Sequence, residues 1–134
     1  INENDFKLLD FFTPNESEAE FYLNKKIETN EDVKNAAKEF LNRGVKNIII
    51  TLGKKGIYFA NEDDEYFVDA LKLKDEVVDT TGAGDAFNGA FAVALANKLK
   101  NKDALIFANK VAGISTTRLG AASSMPTLKE VDNY

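Results

Sequence analysis

The run VKNIIITLG, residues 45–53, constrains the fold of this chain more than any other stretch. Its isoleucines follow one another without polar alternation, which is typical of a strand buried on both faces of a parallel sheet. Residues 30–43 before it carry apolar side chains at helical spacing, with Thr29 or Asn30 as the N-cap and Gly44 after the last turn. A helix followed by a buried strand is half of a βαβ unit, so the sequence predicts an α/β fold.

Other patterns predict further helices and strands on both sides of this unit. Short apolar runs that end at turn residues predict strands at 6–12, at two places within 56–70, and at 76–79. Helical patterns predict helices at Glu16 to Asn24, 84–98 and 102–117. The helix at 84–98 is apolar on nearly all sides, and we expect it to be buried. No linker or repeat divides the chain, which is predicted to be a single domain, 1–134.

Charge and composition exclude several classes of function. The chain has 22 acidic and 17 basic residues, a net charge of −5, so it lacks the basic footprint expected for a nucleic-acid or anionic-membrane partner. It contains no cysteine and no histidine, which excludes disulfides, thiolate or imidazole zinc sites and Ser–His or Cys–His catalysis. Its longest apolar run, AFAVALA, is far shorter than the ~20 residues of a membrane-spanning helix. We therefore expect a cytoplasmic protein whose acid–base chemistry uses Asp, Glu, Lys or Tyr.

The stretch DTTGAGDAFNG, residues 79–89, is the strongest candidate for a functional site. Its glycines permit a tight turn from a strand into a helix, and the first amide groups of that helix then point outward, where they bind anions. The dinucleotide and P-loop fingerprints do not match, because a third glycine at the required spacing and a following Lys-Ser or Lys-Thr are missing. Asp85 either caps the helix or acts as a base on a hydroxyl group, and the local sequence leaves both open.

Four segments of the chain are similar, in the same order, to motifs of the ribokinase family of ATP-dependent carbohydrate kinases: FFTPNESEAE, TLGKKGIYF, DTTGAGDAFNGAFAVALA and FANKVAGISTTRLGAASSMPT. Together they extend from Phe12 to Pro126. The resemblance implies a ribokinase-like three-layer α/β/α fold with a mostly parallel sheet, of which this chain is the C-terminal, nucleotide-binding portion. It also implies ATP-dependent phosphorylation of a sugar hydroxyl, with the match closest to members that convert D-ribose to D-ribose 5-phosphate.

The same resemblance implies catalytic roles for residues of the glycine-rich stretch. Asp85 is implied to be the catalytic base that removes a proton from the sugar hydroxyl, which also makes it a substrate-binding residue. Gly82, Ala83 and Gly84, together with the amide of Asp85, are implied to form an anion hole for the transferred phosphoryl group.

Cofactor binding is implied at three further groups of residues. Asn15 and Glu18 are implied to organise Mg²⁺ and the phosphates of ATP. The ATP site is implied to include Thr51, Gly53, Gly56, Gly84 and Asn109. A monovalent cation, K⁺, is implied to be enclosed by Asp79, Thr81, Ser115, Arg118, Gly120 and Ser124.

Purely structural interpretations stay open for several of these residues. Asn15 and Glu18 are also ordinary first-turn residues of a helix, and Thr51 and Gly53 also suit the end of a buried strand. Arg118 also suits the C-terminal end of a helix, where a positive charge is favourable. The functional interpretation therefore depends on the occurrence of all four segments together.

The residues that form the sugar pocket and the lid in this family are not among the four segments, and the chain begins at Ile1 rather than Met. We therefore expect it to be the C-terminal portion of a longer kinase, homodimeric at full length, and the excised chain to be inactive. Two alternatives remain: another kinase of the family, such as a fructokinase or a nucleoside kinase, or a nucleotide-binding fragment without catalysis.

Overall fold

The computed structural model describes residues 3–134, which fall into two compact units that divide between Asp69 and Ala70. The N-terminal unit contains the elements α1 (Glu16–Leu23), α2 (Asn30–Asn42), β1 (Ile48–Thr51), β2 (Ile57–Ala60) and β3 (Glu65–Val68). The C-terminal unit contains α3 (Ala83–Ala96), α4 (Asn101–Ser115) and α5 (Leu128–Asn133). The α/β class is therefore confirmed, and the single domain over 1–134 stays a prediction.

Both helices of the N-terminal unit begin at residues predicted from the sequence. Asn15 caps α1, and its side chain accepts a hydrogen bond from the amide of Glu18 at 2.9 Å. Thr29 caps α2 in the same way, and the carboxylate of Asp32 accepts the amide of Thr29 at 2.8 Å. These capping boxes satisfy amide groups that the first turn of a helix leaves free, which explains why the predicted starts of both helices are correct.

The strand predicted at 6–12 is wrong. A 3₁₀ helix occupies Glu3–Leu8 instead, and only Phe12 of the predicted strand pairs with β1. Phe6 and Phe12 are buried and Leu9 packs against the same core, so the apolar side chains recur every third residue. The amide of Leu9 donates to the carbonyl of Phe6 at 3.2 Å. A spacing of three matches the 3₁₀ turn that contains Phe6, and Leu9 and Phe12, which follow this turn, reach the same core.

The three strands form one sheet in the order β1-β2-β3, with both pairs antiparallel. The sequence predicted a mostly parallel sheet, whereas the strands β1, β2 and β3 are antiparallel to one another. Residues 52–56 and 61–64 join the strands, and connections this short allow only antiparallel neighbours. Parallel pairing is present as two bridges from the segment before α1, Phe12 with Ile48 and Asn15 with Thr51. Helices α1 and α2 supply the long connection that parallel pairing requires.

The core of the N-terminal unit is aromatic. Phe6, Phe12, Tyr22 and Phe40 meet edge to face, with ring centroids between 5.2 Å for Phe12–Phe40 and 5.8 Å for Phe6–Tyr22. Edge-to-face contacts are favourable because the positive ring edge meets the negative ring face. The isoleucines of β1 are completely buried, as predicted from their continuous run.

The C-terminal unit begins with an irregular segment. Residues 70–82 form neither helix nor strand, so the strand predicted at 76–79 is wrong. The amides of Val78 and Asp79 both donate to the carbonyl of Thr116, at 2.8 and 3.1 Å. The backbone is therefore bound to the end of α4 rather than to a neighbouring strand. The valines predicted a strand, but a local pattern does not reveal a long-range partner such as the end of α4.

The two long helices of the C-terminal unit lie within two residues of their predicted bounds, but α3 is not buried all round. Its buried side chains are Ala86, Phe87, Phe91 and Ala94, whereas Val93 on the other side is 57% exposed. Apolar composition predicted burial of every face, and the structure corrects this to one face. Between residues 3 and 134, no helix combines the length and apolar character needed to cross a bilayer.

Candidate active site

The stretch that leads into the first turn of α3, residues 79–84, is termed here the glycine loop. Gly82 is the N-cap of α3 and has a φ of +77°, a conformation that side chains disfavour. A Cβ atom at this position would lie 2.9 Å from the Cβ of Ala121. Glycine is thus required at position 82 for two reasons, its backbone conformation and the close approach of Ala121.

The N-terminus of α3 is open. Within the described part of the chain no side chain caps it, and the first intrahelical bond is donated by Ala86 to the carbonyl of Gly82 at 2.8 Å. The amides of Gly84 and Asp85 come before that bond, and a Cβ at Gly84 would meet nothing within 4 Å. Amide donors at the positive end of a helix, with open space beside them, are suited to bind an anion such as phosphate.

One amide predicted for the anion hole has another partner. The N–H group of Ala83 donates to the carbonyl of Thr80 at 3.2 Å, which closes the turn. Gly82, Gly84 and Asp85 therefore remain the predicted donors. The Asp85 side chain is exposed in the first turn of α3, and no hydrogen bond or ion pair from the residues described here engages its carboxylate. Such a carboxylate is accessible to a hydroxyl group of a bound substrate.

Asp79 connects the glycine loop to the segment after α4. Its carboxylate accepts the amide of Thr81 at 2.9 Å and the amide of Gly120 at 3.1 Å. Hydrogen bonds from the Thr81 hydroxyl and amide, and then from the Gly120 amide, lower the pKa of Asp79, so it is ionised at neutral pH. The structure therefore brings together three of the residues predicted for the cation site, Asp79, Thr81 and Gly120.

The other predicted cation-site residues have local partners. The buried hydroxyls of Ser115 and Ser124 donate to the carbonyls of Ala112 and Ala121, at 2.8 and 2.7 Å. The Arg118 guanidinium pairs with Glu130 at 2.6 Å. Residues 3–134 contain no cluster of three or more Asp, Glu, His or Cys side chains that could hold a metal. An ion here would be bound by Asp79 and by hydroxyl and carbonyl oxygens, which are ligands of hard cations.

In the N-terminal unit, the two residues predicted to organise Mg²⁺ and the phosphates of ATP also cap a helix. The Asn15 side chain accepts the Glu18 amide, and one carboxylate oxygen of Glu18 accepts the Asn15 amide, both at 2.9 Å. Both side chains are exposed, and the second Glu18 oxygen keeps its lone pairs. The parallel bridge between Asn15 and Thr51 places two predicted nucleotide-site residues side by side.

The remaining predicted ATP-site residues lie on a turn and a helix. Gly53 and Gly56 have φ values of +55° and +96° in the tight turn between β1 and β2, and the Gly56 amide donates to the Gly53 carbonyl at 3.0 Å. A Cβ at Gly53 would meet nothing within 4 Å, so its backbone is open to an approaching group. Asn109 lies half-buried in α4.

Sequence reasoning missed the contribution of the last eight residues. Glu130 accepts the amide and hydroxyl of Thr127, at 2.7 and 2.8 Å, and these bonds together with Arg118 lower the pKa of Glu130 to about 2. The first cause of the shift is the Thr127 amide, followed by Arg118. The signal was present, because Thr127-Leu-Lys-Glu130 is a capping-box sequence. No local signal identified Ala121 as the neighbour of Gly82.

Comparison with known proteins gives matches over nearly the whole chain. A model of the pfkB family carbohydrate kinases matches residues 5–128. The chain is 40% identical over 126 residues to a ribokinase from Staphylococcus aureus, covering 93% of this chain and 41% of that protein. It is 45% identical over 126 residues to a ribokinase from Schizosaccharomyces pombe, covering 91% and 39%. The chain thus spans about two fifths of the length of these curated relatives.

Solved structures resemble the fold closely. The crystal structure of a ribokinase from Thermotoga maritima has a TM-score of 0.88 and 44% identity, over 99% of this chain and 44% of that one. The structure of an Arabidopsis thaliana ribokinase complexed with ribose and ATP has a TM-score of 0.93 and 32% identity, over 99% and 43%. The predicted fold class is therefore confirmed.

Proposed function

Because the chain belongs to the pfkB family of carbohydrate kinases, we propose that the protein containing it transfers the γ-phosphate of ATP to a sugar hydroxyl. D-ribose is the proposed acceptor and D-ribose 5-phosphate the product, supported by ribokinases at 40% and 45% identity. The observation that carries the proposal is the open N-terminus of α3, where amide donors and the free carboxylate of Asp85 lie in one helical turn.

The residues of this turn match the needs of phosphoryl transfer. The amides of Gly82, Gly84 and Asp85 would donate hydrogen bonds to phosphate oxygens, where charge must be stabilised during transfer. The carboxylate of Asp85 would accept the proton of the attacking sugar hydroxyl. Because the donors are backbone groups fixed by the helix, they need little rearrangement during the reaction.

Two metal ions complete the proposal. Mg²⁺ bound with ATP would neutralise part of the phosphate charge. The second carboxylate oxygen of Glu18, together with Asn15, would hold this Mg²⁺ through water. K⁺ would be held by Asp79 and the oxygen-rich segment 115–124. The ionised state of Asp79, whose pKa is lowered, supports a cation beside the glycine loop. The nucleotide roles of Thr51, Gly53, Gly56 and Asn109 stay predictions.

The proposed enzyme is cytoplasmic and homodimeric, and it acts on small molecules rather than on nucleic acid or membranes. The net charge of −5 supports the exclusion of nucleic acid. The acceptor sugar is the part of the proposal with the least support, because the chain is also 36% identical over 125 residues to a deoxyribokinase from Salmonella typhimurium. Fructose and nucleosides are the acceptors of the alternative kinases, and a fragment that binds nucleotide without catalysis is the non-enzymatic alternative.

The test uses protein made from the full coding sequence. ADP release from ATP is measured with D-ribose, 2-deoxy-D-ribose, D-fructose and a nucleoside, and the phosphorylated product is identified by mass spectrometry. We expect the highest kcat/KM with D-ribose. A higher value with another acceptor reassigns the substrate within the family. ATP binding without turnover of any of the four acceptors contradicts the proposed activity.

A further inference from the structure

The irregular segment that leads into the glycine loop is held by the last residue of the chain. The phenolic oxygen of Tyr134 accepts the amides of Lys74 and Asp75, at 2.9 and 3.3 Å, and its hydroxyl lies 3.4 Å from the carboxylate of Asp75. The ammonium group of Lys74 lies 4.9 Å from the centre of the Tyr134 ring and donates to the carbonyl of Asn133 at 3.2 Å. One aromatic residue thus fixes two consecutive residues that no strand or helix holds.

The helix α5, which ends one residue before Tyr134, holds the segment on the other side of the glycine loop. Glu130 of α5 accepts a hydrogen bond from Arg118 at 2.6 Å, two residues before Gly120. Gly120 in turn donates to Asp79, and Ala121 contacts Gly82. The segment that precedes the glycine loop in the chain is therefore bonded to Tyr134, and the segment that packs beside the loop is bonded to α5.

Apolar packing brings α5 close to the first turn of α3. Val131 is buried in a cluster with Ala86, Val111 and Ile114, against which the Tyr134 ring also packs. Ala86 is the residue directly after Asp85. A shift of α5 would therefore act on the helical turn that carries the open amides, both through this cluster and through the two polar connections.

We propose that α5 and Tyr134, the residue that follows it, position the glycine loop: Tyr134 fixes residues 74–75 before the loop, and Glu130 fixes Arg118 beside it, so that Asp79 and Gly82 are held between two anchored segments. Glu130 and Tyr134 lie after residue 128, where the match to the family model ends. The consequence for catalysis rests on the proposed function, whereas the consequence for the order of the loop does not.

The test compares Tyr134→Phe with the wild type in protein made from the full coding sequence. Phenylalanine keeps the ring contact with Lys74 and removes the oxygen that accepts two amides. Amide hydrogen exchange is measured by NMR at Thr81 and Gly120, the two donors to Asp79. We expect exchange at both to be faster by up to about tenfold, the effect of losing bonds of ordinary strength. The amide of Glu18, in the cap of α1, is the internal reference and should not change.

A second variant and a matched control separate positioning from general stability. Arg118→Gln removes the charge that pairs with Glu130 but leaves the Thr127–Glu130 cap intact, so Gly120 exchange should rise while Glu130 amide exchange stays the same. Lys129→Ala changes an exposed side chain of the same helix and should alter none of these amides. In the kinase assay, Tyr134→Phe should lower kcat severalfold with the sugar KM unchanged.

The outcomes distinguish the two claims. Unchanged exchange at Thr81 and Gly120 in Tyr134→Phe overturns the positioning role, and so does an equal acceleration throughout residues 70–134, which indicates lost stability alone. Selective acceleration supports the role whether or not the protein phosphorylates sugars. If the protein has no kinase activity, the proposed function fails while the exchange measurements still decide the role of α5.

Discussion

The N-termini of α1 and α3 both carry residues predicted to bind ATP or its metal, but they are built in opposite ways. At α1 the side chains of Asn15 and Glu18 accept each other's amides, both at 2.9 Å, so the helix end is closed by its own residues. At α3 the cap is Gly82, which has no side chain; the amides of Gly84 and Asp85 precede the first intrahelical bond, and the space beside Gly84 is open. A closed end stabilises the helix, whereas an open end keeps its donors for a ligand.

The open end costs the protein little stability. Glycine at an N-cap is only a few tenths of a kcal/mol worse than Asn or Ser. In return, glycine at position 82 allows the φ of +77° and the approach of Ala121. The negative charge of Asp85 in the first turn interacts favourably with the helix dipole and offsets part of the missing cap. The difference between α1 and α3 is therefore a difference in what each end is available to bind.

The largest effect is expected for Asp85→Asn. The asparagine variant would lose only the favourable interaction of the Asp85 charge with the helix dipole, about 0.3 to 1 kcal/mol, so the melting temperature should fall by only a few degrees. The amide cannot accept the hydroxyl proton, and kcat should fall by roughly 10² to 10⁴. The affinity for ATP should be unchanged or slightly higher, because a negative charge beside the phosphates is lost. Steady-state kinetics with ATP binding by calorimetry checks this, and a variant that keeps most of its kcat would make Asp85 a helix-start residue only.

A second, smaller effect is expected at the two glycines of the open end. Gly82→Ala places a Cβ 2.9 Å from Ala121 at a positive φ and should lower the free energy of unfolding by about 1 to 3 kcal/mol. Gly84→Ala meets no atom and should raise it by up to about 1 kcal/mol, because Ala is the better helix former.

The same pair separates stability from binding. Gly84→Ala fills the space beside the open amides, and we expect weaker ATP binding despite the higher stability. Urea denaturation and ATP titration of both variants measure the two quantities. Tighter or equal ATP binding by Gly84→Ala would mean that the phosphates do not approach this turn.

At the closed end the expected effect is on stability. Asn15→Ala removes the acceptor for the Glu18 amide and should lower the free energy of unfolding by about 1 kcal/mol. Glu18→Gln is the matched variant, because Gln also serves in a capping box, and it should change stability by only a few tenths of a kcal/mol. If Glu18 also organises Mg²⁺, Glu18→Gln should raise the Mg²⁺ concentration needed for half-maximal rate. An unchanged Mg²⁺ requirement would leave α1 with the structural role alone.

The smallest effect concerns pH and the cap of α5. The pKa of Glu130 is lowered from 4.5 to about 2, so its bonds to Thr127 and Arg118 contribute stability above pH 4.5 and lose it as the pH falls toward 2. Melting temperatures between pH 5 and pH 3, in steps of about one unit, should fall less in Glu130→Gln than in the wild type. If the melting temperatures of the two proteins fall equally with pH, the ionised carboxylate of Glu130 does not contribute to stability.

Sequence patterns predicted the fold best where the partners are local. The caps at Asn15 and Thr29 are made with residues three positions away, and both helix starts were predicted correctly. The errors at 6–12 and 76–79 have different causes. Residues 3–8 form a local 3₁₀ helix that the short apolar run did not reveal, whereas Val78 and Asp79 are held by the distant carbonyl of Thr116. Long-range partners are not visible in a local pattern.

The candidate site shows the same limit. The residue types at 79–85 predicted an anion-binding turn, and the open N-terminus of α3 agrees with that interpretation. The sequence did not indicate that the Ala83 amide bonds to Thr80 or that Arg118 pairs with Glu130. The first is a local turn bond, whereas the second depends on how residues 116–130 fold, which only the three-dimensional structure shows.

The central claim is that phosphate binds at the open end of α3 and not at the closed end of α1. The most direct test is an NMR titration of ¹⁵N-labelled protein with ATP in the absence of divalent metal, which removes any contribution of Mg²⁺ at Glu18. The account predicts the largest amide shift changes at Gly82, Gly84 and Asp85, with the Glu18 amide unchanged. Shift changes at the first turn of α1 with none at Gly84 and Asp85 would contradict it.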